Sequence, residues 1–197
     1  MKSDIVVSGV GGQGIVVFSD ILCEAALLDG FDVAKAEIHG MAQRGGSIIA
    51  YVRIGEKVPC PLIERGKSDI IVGFEILETA RALPMLRENG IVIMNTQYIP
   101  PSVLPRRKIK QLKPDYLIDL IRKKAAKLLD IDGAAVANKL GSNMVVNIVL
   151  LGALSAIPEN PVGRESFEKA ITGRFKEKYA ELNLGAFQLG REYASKL

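Results

Sequence analysis

Apolar positions fall into two alternating rhythms over the first hundred residues. Residues 5–8 form a short β-branched run that leads into a glycine-rich turn. Residues 15–28 then place Ile15, Phe18, Leu22, Ala25 and Ala26 at helical spacing. Asp29-Gly30 reads as the stop of that helix, and residues 31–36 as a second strand. Residues 47–54 (SIIAYVRI) are β-branched enough for a strand. Residues 69–74 (DIIVGF) and 90–94 (GIVIM) are almost continuously apolar, the pattern of strands covered on both sheet faces, with a helix expected at 76–86 between them. Strands alternating with helices across short turns predict an α/β fold: a Rossmann-like, mostly parallel sheet flanked by helices.

Beyond Asn95 the rhythm changes. Pro100, Pro101, Pro105 and Pro114 interrupt a basic segment in which no long helix can run. From residue 115 onward helical spacing dominates, with helices expected at 115–129, 133–140 and 143–157, and Asp115 placed to cap the first. The expected organisation is one α/β domain: a core at 1–99, a basic, proline-rich connection at 100–114 and a helical part at 115–197. Residues 140–158 carry no charge, and their nineteen positions approach the length of about 20 that spans a bilayer. Asn143, Asn147 and Ser155 break the run, so a helix buried in the core or at a subunit interface is expected instead. That apolar stretch also leaves self-association of the isolated chain open.

Composition narrows the functional classes. The chain has 197 residues, 48% of them hydrophobic, which excludes a disordered protein. Its two cysteines, Cys23 and Cys60, are too few for a four-cysteine iron–sulfur cluster or zinc site within this chain. No disulfide framework is expected, and a cytoplasmic location is the default. The opening residues read as a first strand, not as a signal peptide. A net charge of +4 falls short of a nucleic-acid footprint, and the basic cluster around Arg106, Arg107, Lys108 and Lys110 has no interleaved aromatics.

Two segments can carry chemistry. Gly9, Gly11 and Gly14, with Gly12 and Gln13 between them, spell G-x-G-x-x-G between a strand and a helix. Such a turn lets backbone N–H groups approach an anion, and the helix end adds about half a positive charge. Glu37 sits near the end of the second strand, where a ribose-binding carboxylate is expected in a dinucleotide site. The same turn can equally be a packing device that binds nothing. The second segment, AEIHGMAQRGG at 36–46, gathers Glu37, His39, Gln43 and Arg44 at the carboxyl end of a strand. His39 suits acid–base chemistry near neutral pH, and Arg44 suits a carboxylate or phosphate. Cys23 reads as core and Cys60, between two prolines, as an exposed loop thiol.

These strings resemble a known family. GVGGQGI at 9–15 and AEIHGMAQRGGS at 36–47 are similar to the gamma-type subunit of 2-oxoacid:ferredoxin oxidoreductases, most strongly to the beta subunits of the indolepyruvate-specific branch. The likeness continues through residues 52–81, the NxxLGA element at 147–153 and NLGAFQLG at 183–190. The basic segment at 106–113 and the helix after it carry no matching motif.

The resemblance implies a Rossmann-like small subunit, inactive alone, of an enzyme that converts an arylpyruvate and coenzyme A to an aryl-acetyl-CoA and carbon dioxide, with electrons passing to ferredoxin. It further implies that thiamine diphosphate, magnesium and iron–sulfur clusters reside in a larger partner subunit, with no cofactor or metal held by this chain alone. Neither nucleic acid nor membrane is implied as a partner. The residues expected to matter are Gly9, Gly11, Gly12, Gln13 and Gly14 for a cofactor, and Glu37, His39, Gln43 and Arg44 for catalysis. Two rivals stay open: a stand-alone NAD- or FAD-dependent oxidoreductase and a non-catalytic interaction subunit.

Overall fold

The computed structural model describes residues 2–40, 45–100 and 112–195. Six strands form one sheet: β1 (Ser3–Val10), β2 (Asp32–His39), β3 (Ser47–Gly55), β4 (Ser68–Gly73), β5 (Leu86–Asn95) and β6 (Lys127–Ile131), in the order β2-β3-β1-β4-β5-β6. β1 pairs in parallel with β4, β4 with β5 and β5 with β6, whereas β3 runs antiparallel to both of its neighbours. The segment joining β2 to β3 spans only residues 40–46, too short for the crossover that a parallel pair needs. The fold is α/β with a mixed, mostly parallel sheet.

Helix α1 (Ile15–Leu28) buries Ile15, Phe18, Ile21, Leu22, Ala25 and Ala26 at the expected spacing. Its end is set by Gly30 at φ 81, whose N–H reaches Leu27 O at 3.0 Å while Phe31 N–H reaches Ala26 O at 3.1 Å. Helix α2 (Ile76–Ala82) follows β4 and passes through a single 3-10 turn, Leu83–Met85, into β5. The helix expected at 76–86 is therefore shorter, because the chain enters β5 at Leu86. Beyond the described gap come α3 (Pro114–Lys124), α4 (Gly133–Leu140), α5 (Val146–Ala156), α6 (Arg164–Arg174) and α7 (Glu177–Ala194). Most of the connection expected at 100–114, including its basic cluster, lies outside the described residues.

The helical reading of residues 115–129 fails at Ala125. α3 stops at Lys124, and residues 127–131 become β6, bonded to the outer edge of β5 in the register Ile91↔Lys127 to Asn95↔Ile131. Nothing local in KLLDI overrules a helix; the open edge of β5 does. Asp115 is not the cap either: Lys113 occupies that position, with Pro114 in the first turn and Asp115 just after it.

Two apolar layers cover the sheet. α1, α5, α6 and α7 pack on the face of Ile5, Val7, Val52 and Val72. α2 and α3 pack on the face of Val6, Ile71, Val92 and Met94. Phe18 of α1 meets Phe74, just after β4, edge to face at 5.6 Å between ring centroids.

The uncharged stretch becomes α5, fully buried from Asn147 to Leu154 inside this chain. It is closed by α7, not by another subunit. A Cβ on Gly152 would lie 2.0 Å from Phe187 O, and one on Gly190 would lie 2.0 Å from Val149 O. The two helices therefore meet backbone to backbone, which explains why glycines stand in NxxLGA and NLGAFQLG.

Gly190→Ala is expected to cost at least about 2 kcal/mol, because helix backbone cannot yield to a methyl. Gly185→Ala, on the same helix with open space around it, is expected to gain about 0.5–1 kcal/mol from helix propensity. Urea denaturation midpoints of the two variants check both signs.

Candidate functional site

The carboxyl ends of β1, β4, β5 and β6 open on one edge of the sheet. α1 leaves β1 toward one face and α2 leaves β4 toward the other. The crevice between β1 and β4 is thus the topological switch point, where open α/β sheets place ligands. A cleft of about 520 Å³ lies there, lined by Gln13, Phe74, Asn95, Gln97, Asp132 and Asn143 among others.

The glycine turn is built as expected but is used differently. Gly9 is the next-to-last residue of β1, and a Cβ on it would meet Phe74 Cβ at 2.7 Å. Gly14 caps α1 at φ 86, with Asn147 Nδ2 at 2.7 Å from where its Cβ would stand. Between them, the Gln13 side chain fills the turn. Its Oε1 accepts from Val10 N–H at 2.8 Å, and its Nε2 donates to Phe74 O at 3.0 Å and Gln97 Oε1 at 3.2 Å. Gly11 N–H donates to Gly46 O at 2.9 Å and Gln13 N–H to Val10 O at 3.2 Å. Three backbone donors that a dinucleotide cradle would present are therefore committed to the protein itself. Gly12, at φ 103 and exposed, is the part of the turn that faces solvent.

The expected ribose carboxylate is not brought to this turn. β3 lies between β2 and β1, so Glu37 sits two strands, about 10 Å, to the side of β1. Its carboxylate is also occupied: Lys35 Nζ lies 2.8 Å from Oε1, Ser19 Oγ donates to Oε1 at 3.3 Å, and His39 Nε2 is 3.2 Å from Oε2. Lys35 also reaches Asp20, which Arg174 holds from α6. Burial opposes charge on Glu37, but the hydrogen bonds from Lys35 and His39 and the Lys35 charge outweigh it, and the carboxyl is held below its usual range.

Glu37 and His39 belong to β2 rather than to the loop after it, and the His39 side chain is half exposed, at 52%. Gln43 and Arg44 lie outside the described residues. The flanks of that loop are tied to the site all the same. Gly40 N–H donates to Ser47 O, Gly11 N–H to Gly46 O, and Ser47 Oγ to Glu78 on α2. The glycine turn and the base of the β2–β3 hairpin thus form one connected edge.

Sequence reading missed the other half of the site. Asn95, only 4% exposed, ends β5 and cross-braces three segments. Its Nδ2 donates to Phe74 O at 3.0 Å, while its Oδ1 accepts from Gly133 N–H at 3.1 Å and Gln97 N–H at 3.4 Å. Gly133 has no room for a Cβ, which would lie 2.7 Å from Asn95 Oδ1. Glu75, fully buried, caps α2 and also accepts from Ile99 N–H at 3.3 Å; burial pushes its carboxyl up against those donors. The available signal was positional: each of these polar residues directly follows an apolar strand.

The cysteines sit apart from the cleft. Burial pushes the Cys23 thiol up to about 12, while Cys60 is exposed on the loop between β3 and β4. Among the described residues, no three His, Cys, Asp or Glu side chains converge as a metal site, and no helix is long and apolar enough to cross a membrane.

Known proteins match over nearly the whole chain. Residues 4–193 match the family described as pyruvate ferredoxin/flavodoxin oxidoreductase. The indolepyruvate oxidoreductase subunit IorB of Archaeoglobus fulgidus is 39% identical over 194 residues, covering 98% of this chain and 96% of the relative. The subunit of the same name from Methanothermobacter thermautotrophicus is 38% identical over 190 residues, covering 96% of each. The crystal structure of a keto/oxoacid ferredoxin oxidoreductase gamma subunit from Geobacter sulfurreducens superimposes with a TM-score of 0.74 at 26% identity, covering 99% of both chains.

The depressed Glu37 carboxyl makes a pH prediction. A carboxyl whose pKa falls on folding adds stability above its unfolded pKa, and this is lost as pH drops through the folded value. Wild-type stability is therefore expected to fall more steeply than that of Glu37→Gln as pH is lowered below about 4.5. Denaturant midpoints of both proteins between pH 7 and pH 3 test this, and parallel curves would overturn it.

Proposed function

This chain belongs to the pyruvate ferredoxin/flavodoxin oxidoreductase family, and on that premise we propose that it is the small subunit of an indolepyruvate-type 2-oxoacid:ferredoxin oxidoreductase. The observation that carries this reading is 39% identity across 98% of the chain to a subunit of that name. In the overall reaction the arylpyruvate carboxylate leaves as carbon dioxide, the remaining acyl group joins the sulfur of coenzyme A, and two electrons pass to ferredoxin.

The residues of this chain do not fit the redox groups of that reaction. A four-thiolate cluster cannot be assembled from one partly buried and one exposed cysteine. Magnesium-bound thiamine diphosphate needs a cluster of ligating side chains, and among the described residues no three His, Cys, Asp or Glu side chains converge to hold a metal ion. We accordingly assign thiamine diphosphate, magnesium and the clusters to a larger partner subunit, and no step of their chemistry to this chain.

What this chain supplies is the carboxyl edge. Gln13 and Asn95 lock the ends of β1, β4 and β5 together through direct hydrogen bonds, so the edge is braced before any partner docks. The exposed Gly12 and the half-exposed His39 belong to the surface that we assign to the large subunit's active centre, and we extend that assignment to Gln43 and Arg44 as members of the same sequence motif. There they enclose the reacting group and exclude water, and coenzyme A enters as the second substrate. His39 is oriented by the contact of its Nε2 with Glu37, which leaves Nδ1 as the atom that holds or passes a proton.

Reconstitution of the holoenzyme under anaerobic conditions tests this. The chain is expected to co-purify with a large subunit that carries thiamine diphosphate and iron–sulfur clusters. His39→Ala is expected to lower turnover roughly tenfold or more with the complex intact. Unchanged turnover would reduce the chain to a non-catalytic interaction subunit.

A further inference from the structure

β2 is an edge strand: it pairs with β3 on one side, and among the described residues nothing pairs with its other side. Gly40 N–H bonds to Ser47 O and continues the register in which His39 faces Ile48. Bonded pairs alternate along an antiparallel ladder, so the even-numbered residues of β2 bond inward to β3. The N–H and C=O groups of Val33, Lys35, Glu37 and His39 therefore point outward along an open edge.

The two faces of this edge differ. Lys35 and Glu37 lie on the α1 side, where they meet Asp20 and Ser19. Ala34, Ala36 and Ile38 lie on the opposite side, where Ile38 is 51% exposed. On that side α2 packs over β1, β4 and β5, α3 packs over β6, and Ile49 and Tyr51 of β3 join the same apolar cluster, whereas Ala34, Ala36 and Ile38 of β2 lie outside it.

We propose that two copies of this chain join through β2, as an antiparallel strand pair about a two-fold axis at Ala36, so that their sheets become one. Charge decides the register. A two-fold axis normal to the sheet keeps every residue on its own face, so residues opposed across it are both odd or both even in number. Centred on Lys35, the pairing sets two ammonium groups against each other; centred on Glu37, it opposes two carboxylates. Centred on Ala36, it sets Lys35 of each copy opposite Glu37 of the other, twice, and Ala34 opposite Ile38. The smallest available side chain then lies on the axis. Charges on edge strands ordinarily guard against pairing; here their order blocks the neighbouring registers and permits one. A strand pair alone buries less than a standard interface, so dimerisation is concentration-dependent.

This inference does not depend on the assignment as a small subunit, because the readout is the association of the full chain with itself. Sedimentation equilibrium is expected to show a reversible dimer. Lys35→Glu and Glu37→Lys should each weaken it roughly tenfold or more through like charges. An equal mixture of these two variants should regain it, since each supplies the charge the other lacks, and that recovery also shows that both are folded. In a Cys60→Ala background, Ala36→Cys should form a disulfide-linked dimer on oxidation, because opposed Cα atoms in such a pair lie about 4.5 Å apart. Ala34→Cys should not. A wild-type chain that stays monomeric at every concentration, a mixture that associates no better than its components, or equal cross-linking at both positions would overturn the proposal.

Discussion

β3 is hydrogen-bonded along both of its edges, to β1 from Ser3 through Val10 and to β2 from Asp32 through His39. That double commitment inserts an antiparallel strand where a dinucleotide-binding sheet would set β2 directly beside β1. Two consequences follow. Glu37 is carried about 10 Å away from the glycine turn, where it serves an ion-pair network instead of a ribose. The residue that leads into β3, Gly46, is in turn brought against the glycine turn through its bond to Gly11. One strand orientation thus weakens the stand-alone dinucleotide reading and builds the edge that the small-subunit reading needs.

Rigidity at that edge comes from amides rather than charges. Gln13 and Asn95 each bond to Phe74 O and to a further segment, so the ends of three parallel strands are cross-linked by neutral hydrogen bonds. Neutral groups suit a surface that is to be covered by another protein, since burying them costs far less than burying an ion. The charged clusters lie elsewhere: Asp20, Lys35, Glu37 and Arg174 beside α1, and Asp4, Arg53, Asp69 and Arg87 toward the opposite end of the sheet. The brace that Gln13 and Asn95 form is itself neutral, with Asp132 lining the cleft beside it and Glu75 and Glu78 on its α2 side.

Legibility varied by element for identifiable reasons. α1, β4 and α4 were plain, because apolar spacing and a turn residue at each end agree with the final packing. β6 was not, since residues 115–129 keep a helical period and only the open edge of β5 converts their end into a strand. The site was half visible: the glycine turn and AEIHGMAQRGG stand out by composition. Asn95, Gln97 and Gly133 look ordinary along the chain and gain meaning only when three strand ends converge. NxxLGA and NLGAFQLG read as a family signature, but their glycines prove to be the seat where α5 and α7 touch.

By itself the sequence determined the fold class, the family and the shortage of metal ligands, because periodicity, motif strings and residue counts are local or additive properties. Tertiary structure alone decided that Gln13 fills the glycine turn, that Glu37 turns to Lys35 and that Asn147–Leu154 are buried by their own chain. It also decided that β2 has an edge left open by the other described residues. Each of these depends on which segments become neighbours, and neighbours far apart in the chain are chosen by packing and hydrogen-bond satisfaction across the whole sheet.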